Sequence, residues 1–105
     1  MSRELFDQAV RRAGDLAGVF EYDGETGYFY LYDMENKVID AIHVLTGDLE
    51  MSADEVKVRW DDDEFRVALF LRGIPWAVFN VNSGEKHGGN YRPGAKPQIP
   101  AVDVF

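Results

Sequence analysis

The chain has 105 residues and no cysteine, which is single-domain size and excludes disulfides, thiol catalysis and thiolate zinc sites together. Hydrophobic residues make up 46% and aromatic residues 13%, a composition that folds, while a formal charge of −8 makes nucleic acid and anionic membrane poor partners and a basic protein surface a good one. The first residues carry acids without an apolar stretch of signal-peptide length, and no run approaches the ~20 apolar residues of a membrane span, so a cytoplasmic location is expected.

At the start, Ser2 is placed to cap a helix over residues 2–17. Leu5, Phe6, Ala9, Val10, Ala13, Leu16 and Ala17 recur at spacings of three and four, and Gly18 follows as a stop. Residues 19–22 form a short strand candidate, and the two glycines of 23–27 mark a turn. The organising stretch comes next, residues 24–45, where two β-prone runs flank a polar break at 34–37 and predict a hairpin. Successive strand residues point to opposite faces, so Phe29 and Leu31 share one face while Tyr28, Tyr30 and Tyr32 share the other. On the return strand Val38, Asp40, Ile42 and Val44 lie on one side and Ile39, Ala41, His43 and Leu45 on the other. Neither face is polar, which predicts a sheet covered on both sides by helix, tail or another chain.

Residues 46–54 read as a polar connection. Ser52 and Glu55 fit a capping box, but Val56, Val58 and Trp60 alternate with charged residues, and period two favours a strand. The acids 61–64 make a turn before a strand with Phe65, Val67, Leu69 and Leu71 on one face. Gly73-Ile74 reads as a tight loop, and Pro75 opens the strand 76–81. From Asn82 glycine and proline predominate, so residues 82–105 are expected to form an extended tail without ladder or helix, laid over the sheet and tied down by Val102, Val104 and Phe105. The fold class predicted is α+β, a five- to six-stranded antiparallel meander over residues 19–81 with the N-terminal helix packed on it. Phe29, Leu31, Ile42, Val58, Trp60, Val67, Leu69 and Phe79 are its expected core.

No catalytic constellation is legible. His43 lies among apolar strand residues with Asp40 on the opposite face, His87 sits in the glycine-rich tail, and no nucleophile motif is present. The run Asp61, Asp62, Asp63, Glu64 lacks the spaced oxygen ligands and internal glycine of a calcium loop, and residues 84–89 lack the lysine-serine pair of a phosphate loop. No metal, cofactor or catalytic residue is therefore expected. Asp40, on an apolar face, calls for a strand end or an ion pair, with Arg66 and Arg72 as examples. Between Asp48 and Glu64 eight acids face only Lys57 and Arg59, which concentrates the negative charge in one segment.

Several blocks then fall in a recognisable order: VFEYDGETGYFY from Val19, IDAIHV from Ile39, VRWDDD from Val58, VALFL from Val67 and PWAVF from Pro75. Over about residues 19–81 the chain resembles a small bacterial family catalogued as domain of unknown function 2251. The resemblance implies a shared fold and a bacterial origin, and no activity comes with it. Three functional readings follow. In the first, a non-enzymatic acidic protein of the toxin-immunity type covers a basic protein, using Tyr28, Tyr30, Tyr32, His43, Trp76 and the acids Asp61, Asp62, Asp63 and Glu64. The second is a small-molecule-binding or enzymatic domain with a tyrosine- and histidine-lined pocket. The third is a homodimer that pairs these faces or an edge strand.

Overall fold

The structure is a computed structural model that describes residues 4–35, 37–92, 94–97 and 99. Strands β1 (Leu5–Val10), β2 (Leu16–Tyr22), β3 (Thr26–Asp33) and β4 (Lys37–Thr46) form one antiparallel sheet in that order. Strands β5 (Val56–Trp60), β6 (Arg66–Leu71), β7 (Ile74–Asn80) and β8 (Lys86–His87) form a second, also in sequence order, and a 3-10 turn at Ala53–Glu55 precedes it. The two meanders pack face to face as a sandwich. Phe20, Phe29, Leu31, Ile42 and Val44 meet Val58, Val67, Leu69 and Phe79 in one core. Each fully buried side chain of this size contributes about 1.5–3 kcal/mol of hydrophobic stabilisation.

This overturns the α+β expectation. In place of a helix over residues 2–17 stands the β1–β2 hairpin, and in place of one five- to six-stranded meander stand two four-stranded sheets. The predicted helical stripe mixes the two faces of a strand. Leu5, Asp7 and Ala9 turn inward while Phe6, Gln8 and Val10 turn outward, and Gly14 reverses the chain at φ 76°. Gly18 is a mid-strand residue rather than a helix stop: a Cβ there would lie 2.6 Å from Val67 Cγ2, so its lack of a side chain lets the sheets close. Ser2, the supposed cap, lies outside the described residues.

The central hairpin forms as predicted, with Phe29 opposite Ile42 and Tyr28 opposite His43. A register shift between Gly27 and Tyr28 allows Val44 and Leu45 both to be buried, although they are neighbours. The expected core residues are buried except Trp60, which is half-buried with its indole N–H donated to Ala9 O at 2.8 Å. The β6–β7 loop is Arg72-Gly73 rather than Gly73-Ile74, and both residues have positive φ (52° and 78°), as a type I′ turn requires.

Hydrogen bonds link the two sheets at their edges. Along one side Asp7 Oδ2 accepts the Val58 N–H at 2.7 Å, tying β1 to β5. On the other, Lys86 Nζ donates to Asp40 Oδ1 at 2.6 Å and to Ala41 O at 3.2 Å, so the partner of Asp40 is neither Arg66 nor Arg72. Tyr91 brackets the end of β4, its N–H donated to Val44 O at 2.8 Å and its carbonyl accepting from Thr46 N at 3.0 Å. The tail thus carries ladder pairing that its composition hid, in β8 and in this bridge. Further along, Ile99 packs against Ala68, Phe70 and Val78, covering the outer face of the second sheet. Val102, Val104 and Phe105 lie outside the described residues. Among the described residues no helix is long and apolar enough to cross a membrane.

Candidate functional site

The outer face of the first sheet carries no covering element among the described residues. Alternate residues of β3 place Tyr28, Tyr30 and Tyr32 there, and β4 adds His43. The rings form a ladder. His43 stacks on Tyr28 with centroids 4.7 Å apart and planes at 18°, Tyr28 stacks on Tyr30 at 5.9 Å, and Tyr30 meets Tyr32 edge-on at 6.0 Å. Such pairs each contribute about 0.5–1.5 kcal/mol beyond area burial. Phe6, on β1, joins the same face at 54% exposure, and Tyr28 is 37% exposed.

Two shallow grooves cross this face. One of about 660 Å³ is lined by Glu4, Phe6, Glu21, Asp23, Tyr28 and Tyr30; another of about 230 Å³ runs beside Gln8, Val19, Tyr32 and Met34. The Asp23 carboxylate accepts N–H groups from Thr26 and Glu25, which holds it below the usual carboxylate range. Glu4 and Glu21 have no hydrogen-bond or ion-pair partner among the described residues. Burial raises the Tyr30 hydroxyl above its ordinary value, and the negative charge of Glu21 adds to the effect.

At the rim, Thr46 Oγ1 donates to Asn90 Oδ1 at 2.8 Å and lies 3.0 Å from His43 Nε2. A threonine hydroxyl has one proton, so with that proton on Asn90 the imidazole is the donor and its neutral form carries the lone pair on Nδ1.

Trp76 does not belong to this face. It is buried in the inner core with Tyr91 edge-on to its ring at 5.6 Å. The acids 61–64 lie elsewhere too, against the β1–β2 turn. Asp61 accepts from the backbone N–H of Phe65 at 2.9 Å and of Arg66 at 3.1 Å, and from Arg66 Nε at 2.8 Å. Burial would push its carboxyl up; these bonds and the Arg66 charge outweigh it and hold it below the usual range. Glu64 accepts the Arg12 backbone N–H at 2.9 Å and pairs with its guanidinium at 3.2 Å. Of the four acids only Asp62 and Asp63 are exposed. Among the described residues no group of three or more acids and histidines is placed to hold a metal ion.

Phe6, Glu4 and Glu21 were missed from the sequence. Phe6 was absorbed into the helical stripe, and the usable signal was the placement of Glu21 one residue past Phe20, on the alternation that carries Val19.

The family described as "Uncharacterized protein conserved in bacteria (DUF2251)" matches residues 2–98. The chain belongs to this family. The match takes in the β1–β2 hairpin and the tail around Tyr91, beyond the 19–81 blocks, so the DUF2251 unit includes the strands that close the sandwich. A relative from Haemophilus influenzae, named an uncharacterized protein, is 33% identical over 90 residues, covering 73% of this chain and 56% of the relative. The chain thus spans little more than half the length of that relative. No solved structure matches.

Proposed function

We propose that this protein is a non-enzymatic binding protein whose open tyrosine face docks a basic protein partner, in the manner of an immunity protein covering a toxin. The observation that carries the reading is the ladder Tyr28, Tyr30, Tyr32 and His43, uncovered among the described residues, with exposed Phe6 beside it and at its edge the carboxylates Glu4 and Glu21, which have no partner among those residues. Rigid aromatic rings supply contact area at low entropic cost, and a net charge of −8 attracts a cationic surface. Docking a second copy on this face would bring Glu4 and Glu21 of each chain toward those of the other, which disfavours the homodimer. The edge-pairing form of that reading is also disfavoured, because the Trp60 indole takes the Ala9 carbonyl of β1, Lys86 takes the Ala41 carbonyl of β4, and Tyr91 pairs with the end of β4.

The groove of about 660 Å³ favours a second reading, a small organic cation or other small ligand held at the same face. Capture of a basic protein from lysate of the source bacterium, followed by association and dissociation kinetics, separates the two. Tyr30→Ala is expected to speed dissociation of that partner about tenfold or more, the effect of losing a central aromatic anchor. A captured protein that is acidic, or whose lifetime is unchanged by both Tyr28→Ala and Tyr30→Ala, would overturn the docking reading and leave the small ligand.

A further inference from the structure

Four residues form a single row across the first sheet. Phe6 on β1 is directly opposite Glu21 on β2, Glu21 is directly opposite Tyr28 on β3, and Tyr28 is directly opposite His43 on β4. All point to the face that no element covers among the described residues. The row therefore places one carboxylate between two aromatic rings. Other strand carboxylates of this sheet are engaged: Asp7 by the Val58 N–H, Asp33 by the Glu35 N–H and Asp40 by Lys86. Glu21 alone of them has no partner among the described residues.

Adjacent strands lie about 4.8 Å apart, so the backbones bearing Phe6 and Tyr28 are separated by about twice that. One planar group fits between the rings at the ~3.5–4.0 Å contact distance of carbon atoms on each side. We propose that the Phe6–Glu21–Tyr28 slot receives the guanidinium of an arginine side chain presented by the basic partner, stacked between the rings and paired with the Glu21 carboxylate. The inference rests on the reading of this face as a docking surface and names its anchor. Guanidinium suits the slot better than ammonium because it is planar, stacks on ring faces and donates two parallel hydrogen bonds to a carboxylate. Glu4, which lines the same groove, adds a second negative charge at its mouth.

The test uses the intact chain and two probes, hexa-arginine amide and hexa-lysine amide, titrated at low salt with affinity and backbone and ring chemical shifts recorded. Hexa-arginine should bind several-fold more tightly than hexa-lysine and should shift the ring signals of Phe6 and Tyr28. Glu21→Gln should weaken hexa-arginine about tenfold and erase its preference, whereas Glu50→Gln, an equal change of charge in an exposed loop, should leave it within about twofold. Both positions are exposed, and thermal melts of the two variants verify that the fold is intact. Equal affinity for the two peptides, equal loss in both variants, shifts confined to the Asp62 and Asp63 turn, or no binding would each overturn the slot. The docking reading is judged separately, by the Tyr28 and Tyr30 variants against the captured partner, so either can fall while the other stands.

Discussion

Asp61 shows how a residue that reads as surface charge is used internally. Its side chain is 6% exposed and takes bonds from two backbone N–H groups and Arg66. Asp61→Asn should cost about 1–3 kcal/mol in urea unfolding near neutral pH, the range for disturbing a buried, charge-assisted bond. The pH dependence has a definite sign. The folded carboxyls of Asp61, Asp40 and Glu55 lie below their ordinary values, and the Arg11 hydrogen bond holds Asp15 down to about 2. Their stabilisation is complete above the unfolded carboxylate range, about pH 4, and is lost as pH falls through the lower folded values. The gap between wild type and Asp61→Asn in urea midpoint should therefore narrow between about pH 6 and about pH 3; a constant gap would show that Asp61 contributes through shape alone. Gly18→Ala is a second residue-scale test, since the added methyl meets Val67 Cγ2 at 2.6 Å. Overpacking of this kind should lower stability by about 1–3 kcal/mol.

At the scale of elements, the tail is the informative case. Tyr91 joins the end of β4 through two backbone hydrogen bonds and lays its ring edge-on against Trp76. Removing that ring in Tyr91→Ala should expose Trp76, shift its fluorescence to the red and speed amide exchange at Thr46, whose N–H is donated to the Tyr91 carbonyl. Unchanged emission would mean that the rest of the core shields the indole alone. The β1–β2 hairpin explains why the opening residues read as a helix. Asp7 points inward, which breaks the alternation that marks a strand, and only the Val58 N–H on β5 makes a carboxylate acceptable there. The turn between the strands is likewise held from a distance, with Arg12 N–H bound by Glu64. Where strand signals were local, as in the alternation of β3 or the period-two run of β5, sequence was sufficient to find them.

For the whole molecule the charge distribution sets the expected kinetics of encounter. Asp48, Glu50, Asp54, Asp62 and Asp63 are exposed and lie outside the tyrosine face, so they act over distance rather than in contact. Exposed charges are screened beyond roughly 8–10 Å at physiological salt. The double change Asp62→Asn, Asp63→Asn should therefore slow association with a basic partner and flatten its salt dependence while leaving dissociation unchanged. Stopped-flow mixing at two salt concentrations measures this, and an effect confined to dissociation would place that turn in the contact itself. Core truncation tests the sandwich as a unit: Leu69, fully buried between the sheets, should cost about 2–5 kcal/mol as Leu69→Ala.

By itself the sequence determined the antiparallel character, the central hairpin and the division of β3 into a Phe29, Leu31 face and a tyrosine face, because side-chain alternation is a property of each strand alone. It also located most of the core. Tertiary structure alone decided that β1 is a strand, that the chain forms two sheets, that Trp76 faces inward and that Asp61 and Glu64 are bound internally. It also brought Phe6, Glu21, Tyr28 and His43 into one row from four strands. Several of those outcomes depend on distant partners: Phe6 and Glu21, like Tyr28 and His43, are 15 residues apart, and Arg12 and Glu64 are 52 apart. Local periodicity does not encode which distant backbone group will accept or donate, and a carboxylate turned inward is intelligible only once its donor is in place.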